Sequence, residues 1–238
     1  DVFSLKVEEL AAKIKNAEIS SVEVCEQYIG RINKFEKDVK AWAHFDKKVL
    51  LEKQQRFTEK STTVAWCNRQ EDKSVAEQKL LDLVEHNMQS AYNLVEWVGT
   101  TLPAERRMVR LGSNQIPMAT EPTWRYLWDD PNNQRILEDG FAKVGQLAKD
   151  LDVRISFHPG QFCVLASDKP DVVERSLDEF EYHANMARWM GYGQEFMDMK
   201  LNIHISGRLG AEGIINILPK LSTEARNTIA IENDEMCW

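Results

Sequence analysis

Five short stretches end in side chains that could do chemistry together: Asn68 after TVAWC, Ser113-Asn114-Gln115 after RMVRLG, His158 and Gln161 after DVRISF, His204 and Ser206 around MKLNIHI, and Glu232-Asn233-Asp234-Glu235 closing NTIAIE. Among them His158, His204 and Glu232 are the types that hold a divalent metal, two imidazoles and a hard carboxylate. One polar strand end is ordinarily a capped loop, and one histidine is ordinarily a hydrogen-bonded turn or core residue. Five such ends converging on one rim point instead to a site. The other histidines stand apart: His183, in FEYHANMARWM, lies mid-helix and reads as a packed or surface residue, and His44 and His86 belong to no constellation. In ISFHPGQF, Pro159 fixes φ and stops the strand while Gly160 permits a tight turn, so Gln161 and Phe162 are displayed above the rim. An amide beside an aromatic ring can fill a gap in a base stack and satisfy a base edge. The plainer alternative is a loop glutamine beside a buried phenylalanine.

The elements that must carry these residues are short, β-branched or apolar runs, expected as strands at about 63–67, 107–112, 152–157, 199–205 and 227–232 and suited to burial on both faces. Helical segments are expected between them at about 74–99, 132–150, 170–191 and 211–219. Strand and helix alternating with short connections is the pattern of parallel βα units, in a doubly wound sheet or a (β/α) barrel. No GxGxxG turn follows the first strand, which counts against dinucleotide binding, and polar residues at the C-terminal strand ends favour the barrel. The fold class expected is therefore α/β, an incomplete TIM barrel of about five strands, behind an all-helical front. That front runs from Leu5 to about Gln55. Val7, Leu10, Ala11 and Ile14 recur at three and four residue spacings, Ser20 and Glu23 form a capping box opening a second helix, and WAHFDKKVLLEKQQ gives a third. The change of pattern near residue 58 divides the chain into 1–57 and 58–238.

Composition limits the choices further. The chain has 238 residues, 43% of them hydrophobic, and lacks an apolar run of membrane-spanning length, so no membrane role is expected. Its start, DVFSLKVEEL, lacks the basic and apolar parts of a signal peptide, and a cytoplasmic location is expected. Cys25, Cys67, Cys163 and Cys237 form no CxxC pair and read as small buried hydrophobes rather than a disulfide or zinc framework. A net charge of −8 gives no global attraction to phosphates, so any nucleic-acid role must come from a local site.

HPGQF at 158–162, SDKPDVVERSLDEFEYH at 167–183, NIHISG at 202–207 and IENDE at 231–235, with AWCN at 65–68 and VRLGSNQIPMA at 109–119, resemble the UV damage endonucleases of the UvdE/UvsE type over about residues 62–238. The resemblance implies a TIM barrel whose metal cluster, typically manganese, cuts UV-damaged duplex DNA immediately 5′ to photoproducts. It implies His158, His204 and Glu232 as metal ligands and catalytic residues, and Gln161 and Phe162, with Asn68, as residues that meet the lesion. No protein partner is implied. Phe162 stands where the family usually has tyrosine, Val64 where a tyrosine is common, and Glu121-Pro122 where a histidine often precedes the proline. The chain ends at Trp238, after the fifth expected strand and before the family's later strands with their further ligands, so weak or absent incision is expected of it. The front, LAAKIKNAEISSVEVCEQYIGRINKFEKDVKAWAHFD, resembles the N-terminal helices of amidase signature enzymes without their lysine and serine motifs, as a fusion of two coding fragments would. The alternatives to a repair nuclease are an amide hydrolase fragment and a catalytically dead DNA-binding or scaffold fragment.

Overall fold

The computed structural model describes residues 2–16, 18–39, 46–160 and 162–232. They form two compact units, Asp1–Ser90 and Ala91–Trp238, and the boundary falls within one long helix.

The first unit is helical. Helix α1 (Val7–Lys15) is followed by α2 (Ser21–Val39), which opens as the capping box requires: the Glu23 N–H donates to Ser20 Oγ at 3.1 Å and the Ser20 N–H to Glu23 Oε2 at 2.7 Å. Helix α3 (Lys47–Phe57) follows, and α4 (Val64–Asn68) replaces the strand expected at 63–67. The cause is local. Thr63 serves as N-cap, its side chain accepting the Trp66 N–H at 3.1 Å, and a five-residue apolar run has no periodicity long enough to separate helix from strand. Helix α5 (Lys73–Thr101) holds the 58–60 segment by side chains: buried Asn87 accepts the Lys60 N–H at 2.6 Å and donates to the Lys60 carbonyl at 2.8 Å, and His86 Nε2 lies 3.0 Å from the Thr58 carbonyl. Among the described residues no helix is long and apolar enough to cross a membrane.

The second unit is an α/β layer of four parallel strands in sequential order: β1 (Met108–Leu111), β2 (Arg154–Phe157), β3 (Lys200–His204) and β4 (Ile229–Glu232). Short α6 (Tyr126–Asp129) and then α7 (Pro131–Asp150) connect β1 to β2, α8 (Pro170–Trp189) connects β2 to β3, and α9 (Gly210–Ile217) and α10 (Thr223–Thr228) connect β3 to β4. The residues 227–228 expected in the last strand thus close α10, where Thr228 Oγ1 donates back to the Glu224 carbonyl at 2.7 Å. Proline occupies the start of both long crossover helices, where its missing N–H costs nothing.

The strands are not buried on both faces as expected. Val109, Leu111, Ile155, Phe157, Leu201 and Ile203 are buried, whereas the alternate residues Arg110, Arg154, Ser156, Lys200 and Asn202 are exposed or half-buried. Phe141, Val144 and Ala148 of α7 and Phe180, Ala184 and Ala187 of α8 add to the core, and α7 packs on β2 and α8. By the two-residue period of a strand, His158 continues the row of Arg154 and Ser156, and His204 that of Lys200 and Asn202. The metal-type side chains therefore share the polar face of the sheet.

Candidate metal centre

Register brings His204 and Glu232 together, because they are paired across β3 and β4. His158 follows Phe157, which pairs with Leu201 of β3 and Leu111 of β1, so by register it stands two residues short of His204 on the same face of the sheet. One ligand atom from each of the three lies within 4.8 Å of the others. His158 Nε2 is 3.3 Å and His204 Nδ1 is 3.8 Å from the same Glu232 oxygen, Oε2, and the two imidazole centroids are 4.9 Å apart. All three side chains are half-buried, so the cluster is supported by protein yet open to an incoming group.

The hydrogen bonds around the cluster fix its chemistry. His158 Nδ1 lies 2.9 Å from the Pro159 carbonyl, and since a carbonyl can only accept, that nitrogen carries the proton. Nε2, the ring's other nitrogen, faces a carboxylate oxygen 3.3 Å away. Two lone pairs at that separation repel unless a proton or a shared cation lies between them. Asn202 donates to the other carboxylate oxygen, Oε1, at 3.4 Å, which leaves Oε2 turned to the imidazoles. Two imidazole nitrogens and one carboxylate oxygen suit Mn, Fe, Zn or similar ions, and these residues fit such a group. A carboxyl held by an amide and an imidazole held by a carbonyl are the supports that orient metal ligands.

The remaining sequence-predicted residues fall as follows. Phe162 is 82% exposed, so the buried-phenylalanine alternative does not hold. Gln161 lies outside the described residues, as do Asn233, Asp234, Glu235, His44 and Cys237. Asn68 closes helix α4 in the first unit, exposed, and is not at a strand end. Glu121 caps the turn after it by accepting the Thr123 and Trp124 N–H groups at 2.9 and 3.0 Å. His183 is fully buried, its Nδ1 2.8 Å from the Glu179 carbonyl and its ring edge-on to Phe157 and Tyr182. Burial pulls this imidazole down to about 4, and the same burial pushes the neighbouring Glu179 carboxyl up, against a hydrogen bond from Thr120. Cys67 and Cys163 are buried, and burial pushes the Cys163 thiol up to about 12, so it is no nucleophile.

Sequence reasoning missed Asn202 and Tyr182, and it set Ser113 at a strand end without a partner for its hydroxyl. Asn202 carried one usable signal, its position two residues before His204 on the same strand face. Ser113 donates from Oγ to the His158 carbonyl, and Tyr182 donates to the Ser113 carbonyl at 3.1 Å, a link across 69 residues that no periodicity reveals.

Comparison with known proteins agrees on one family. The family described as UV-endonuclease UvdE matches residues 46–238. A UV DNA damage endonuclease of Clostridium perfringens is 27% identical over 175 residues, covering 68% of this chain and 38% of that protein. One from Bacillus mycoides is 26% identical over 171 residues, covering 70% and 50% respectively. A crystal structure of SacUVDE superposes with a TM-score of 0.60 at 27% identity, over 74% of this chain and 56% of that one. The chain spans half or less of the length of these two curated relatives.

Proposed function

The chain belongs to the UvdE family of UV endonucleases, and from that premise we propose that it serves DNA repair by nicking the backbone immediately 5′ to UV photolesions, leaving a 3′-hydroxyl and a 5′-phosphate. The observation that carries the proposal is the convergence of His158, His204 and Glu232 at the C-terminal ends of β2, β3 and β4. The two imidazoles and the Glu232 carboxylate would hold a divalent ion, and manganese is the ion proposed. Such an ion, when bound, supplies an acidified water and positive charge to offset the phosphate. Glu232, held through Oε1 by Asn202, keeps Oε2 turned to the imidazole pair, and His158, held through Nδ1, keeps Nε2 directed there.

UV-damaged double-stranded DNA is the proposed substrate. A damaged pair costs less to unstack than an intact one. Exposed Phe162, at the lip of the His158 turn, offers a ring face to the opened stack, and Gln161 is proposed beside it to satisfy a base edge. Asn68 is proposed as a third DNA-facing residue on the sequence resemblance alone. With a net charge of −8, the chain gains little from long-range attraction, so recognition rests on these local contacts. We take the four parallel strands for an arc of a (β/α) barrel, the architecture that gathers strand-end ligands on one rim.

Supercoiled plasmid, irradiated or not, incubated with the protein and Mn2+ tests the function. The irradiated plasmid should become nicked, slowly, and EDTA or Glu232→Ala should stop the nicking. Selective binding of irradiated plasmid with no nick under any divalent ion would instead identify a DNA-binding module and sink the endonuclease reading.

A further inference from the structure

The ladder between β1 and β2 ends at Leu111 and Phe157, so His158 leaves the sheet with no backbone partner on that side from the register. A metal ligand one residue past the last paired position would ordinarily be free to swing with its loop. Here the side chain of Ser113 continues the ladder: its hydroxyl donates to the His158 carbonyl. Ser113 is itself anchored. Tyr182, on α8, donates its hydroxyl to the Ser113 carbonyl at 3.1 Å and accepts the Ile116 N–H at 3.0 Å, tying the 113–116 segment to a long helix.

Holding the His158 carbonyl does more than brace a loop. That carbonyl belongs to the peptide joining His158 to Pro159, and the ring of Pro159 fixes the next φ. With the peptide plane held and φ restricted, the Pro159 carbonyl is brought to 2.9 Å from His158 Nδ1, the contact that places the proton there. The ring then turns Nε2, lone pair outward, toward Glu232. A hydroxyl in the turn after the neighbouring strand thus selects the tautomer of an imidazole it never touches.

We propose that Ser113, backed by Tyr182, is a positioning residue that holds His158 as its Nδ1–H tautomer with Nε2 presented to a divalent metal. The inference rests on the reading of the cluster as a metal centre. Two measurements keep it separable from that reading: Mn2+ affinity by calorimetry, and the His158 tautomer from 15N chemical shifts of the metal-free protein at pH 8.5. Ser113→Ala should weaken Mn2+ binding by about tenfold or more, the usual effect of losing a group that orients a ligand, and should shift His158 to a mixture of tautomers. Ser113→Thr, which restores a hydroxyl, should recover both. Tyr182→Phe keeps the ring in place and should weaken Mn2+ binding several-fold, with the circular dichroism unchanged. Ser113→Ala equal to wild type in both affinity and tautomer would overturn the proposal, as would Ser113→Thr failing as fully as the alanine variant. Should the wild type take up no Mn2+, the metal reading falls and the tautomer alone decides: unchanged in Ser113→Ala, it overturns the role of Ser113; mixed, it upholds it.

Discussion

At Glu232 three partners meet on two oxygens, Asn202 on Oε1 and both histidines on Oε2. This division of labour gives the carboxylate a built-in orientation, and it makes Asn202 a candidate for substitution in its own right. Asn202→Ala should weaken Mn2+ binding on the order of tenfold while leaving the three ligands in place; calorimetry giving wild-type affinity would contradict that. Phe162 presents the opposite case, a large ring that the fold leaves in water. Phe162→Ala should lower affinity for irradiated duplex by about 1–3 kcal/mol, the range for one base-aromatic stack, with a smaller loss for undamaged duplex in the same gel-shift titration. His183 makes a prediction about stability. Its imidazole is held at about 4 by burial, against an ordinary value of 6.5, so the unfolded chain takes up a proton over that window that the folded chain refuses. Its contribution is complete above the upper value and is lost as pH falls toward the lower one. Urea denaturation of wild type and His183→Gln at pH 7 and 4.5 should show the wild-type advantage shrinking by roughly 2–3 kcal/mol. An advantage that does not change with pH would refute the assignment.

The helices and strands that carry these residues were legible to different degrees, for physical reasons. Helices α7 and α8 announce themselves by amphipathic spacing and by a proline at their start, and the strands between them by runs of β-branched residues. TVAWC offered the same β-branched text yet became α4, because a threonine cap decides such a short run and the run itself does not. Gly207, in NIHISG just after β3, shows a glycine whose reason appears only in three dimensions. Its φ is +112°, and a Cβ there would come within 2.4 Å of the Ala166 backbone, where the loops after β2 and β3 meet. Gly207→Ala should therefore destabilise the protein by about 1–3 kcal/mol, the range for overpacking, or more if the left-handed backbone must also relax. A denaturation midpoint equal to wild type would show that the two loops can part at no cost.

At the scale of the molecule, parity and order were enough to find the cluster. In parallel βα units the strand ends lie on one rim, so a histidine or glutamate closing each of three successive strands can be placed without knowing any distance. What could not be read were the supporting contacts, since Ser113, Tyr182 and Asn202 act across elements through hydrogen bonds. The likeness to UV damage endonucleases extends through both the strands and the connecting helices, and the cluster lies inside the matched region. The account therefore stands on whether those three side chains bind one ion together. Electron paramagnetic resonance of Mn2+ titrated into the protein measures this directly, because free Mn2+ gives a sharp signal that binding suppresses. The wild type should suppress the signal at about one ion per cluster, and His158→Ala, His204→Ala and Glu232→Ala should each restore it. Suppression that persists undiminished in all three variants would contradict the account.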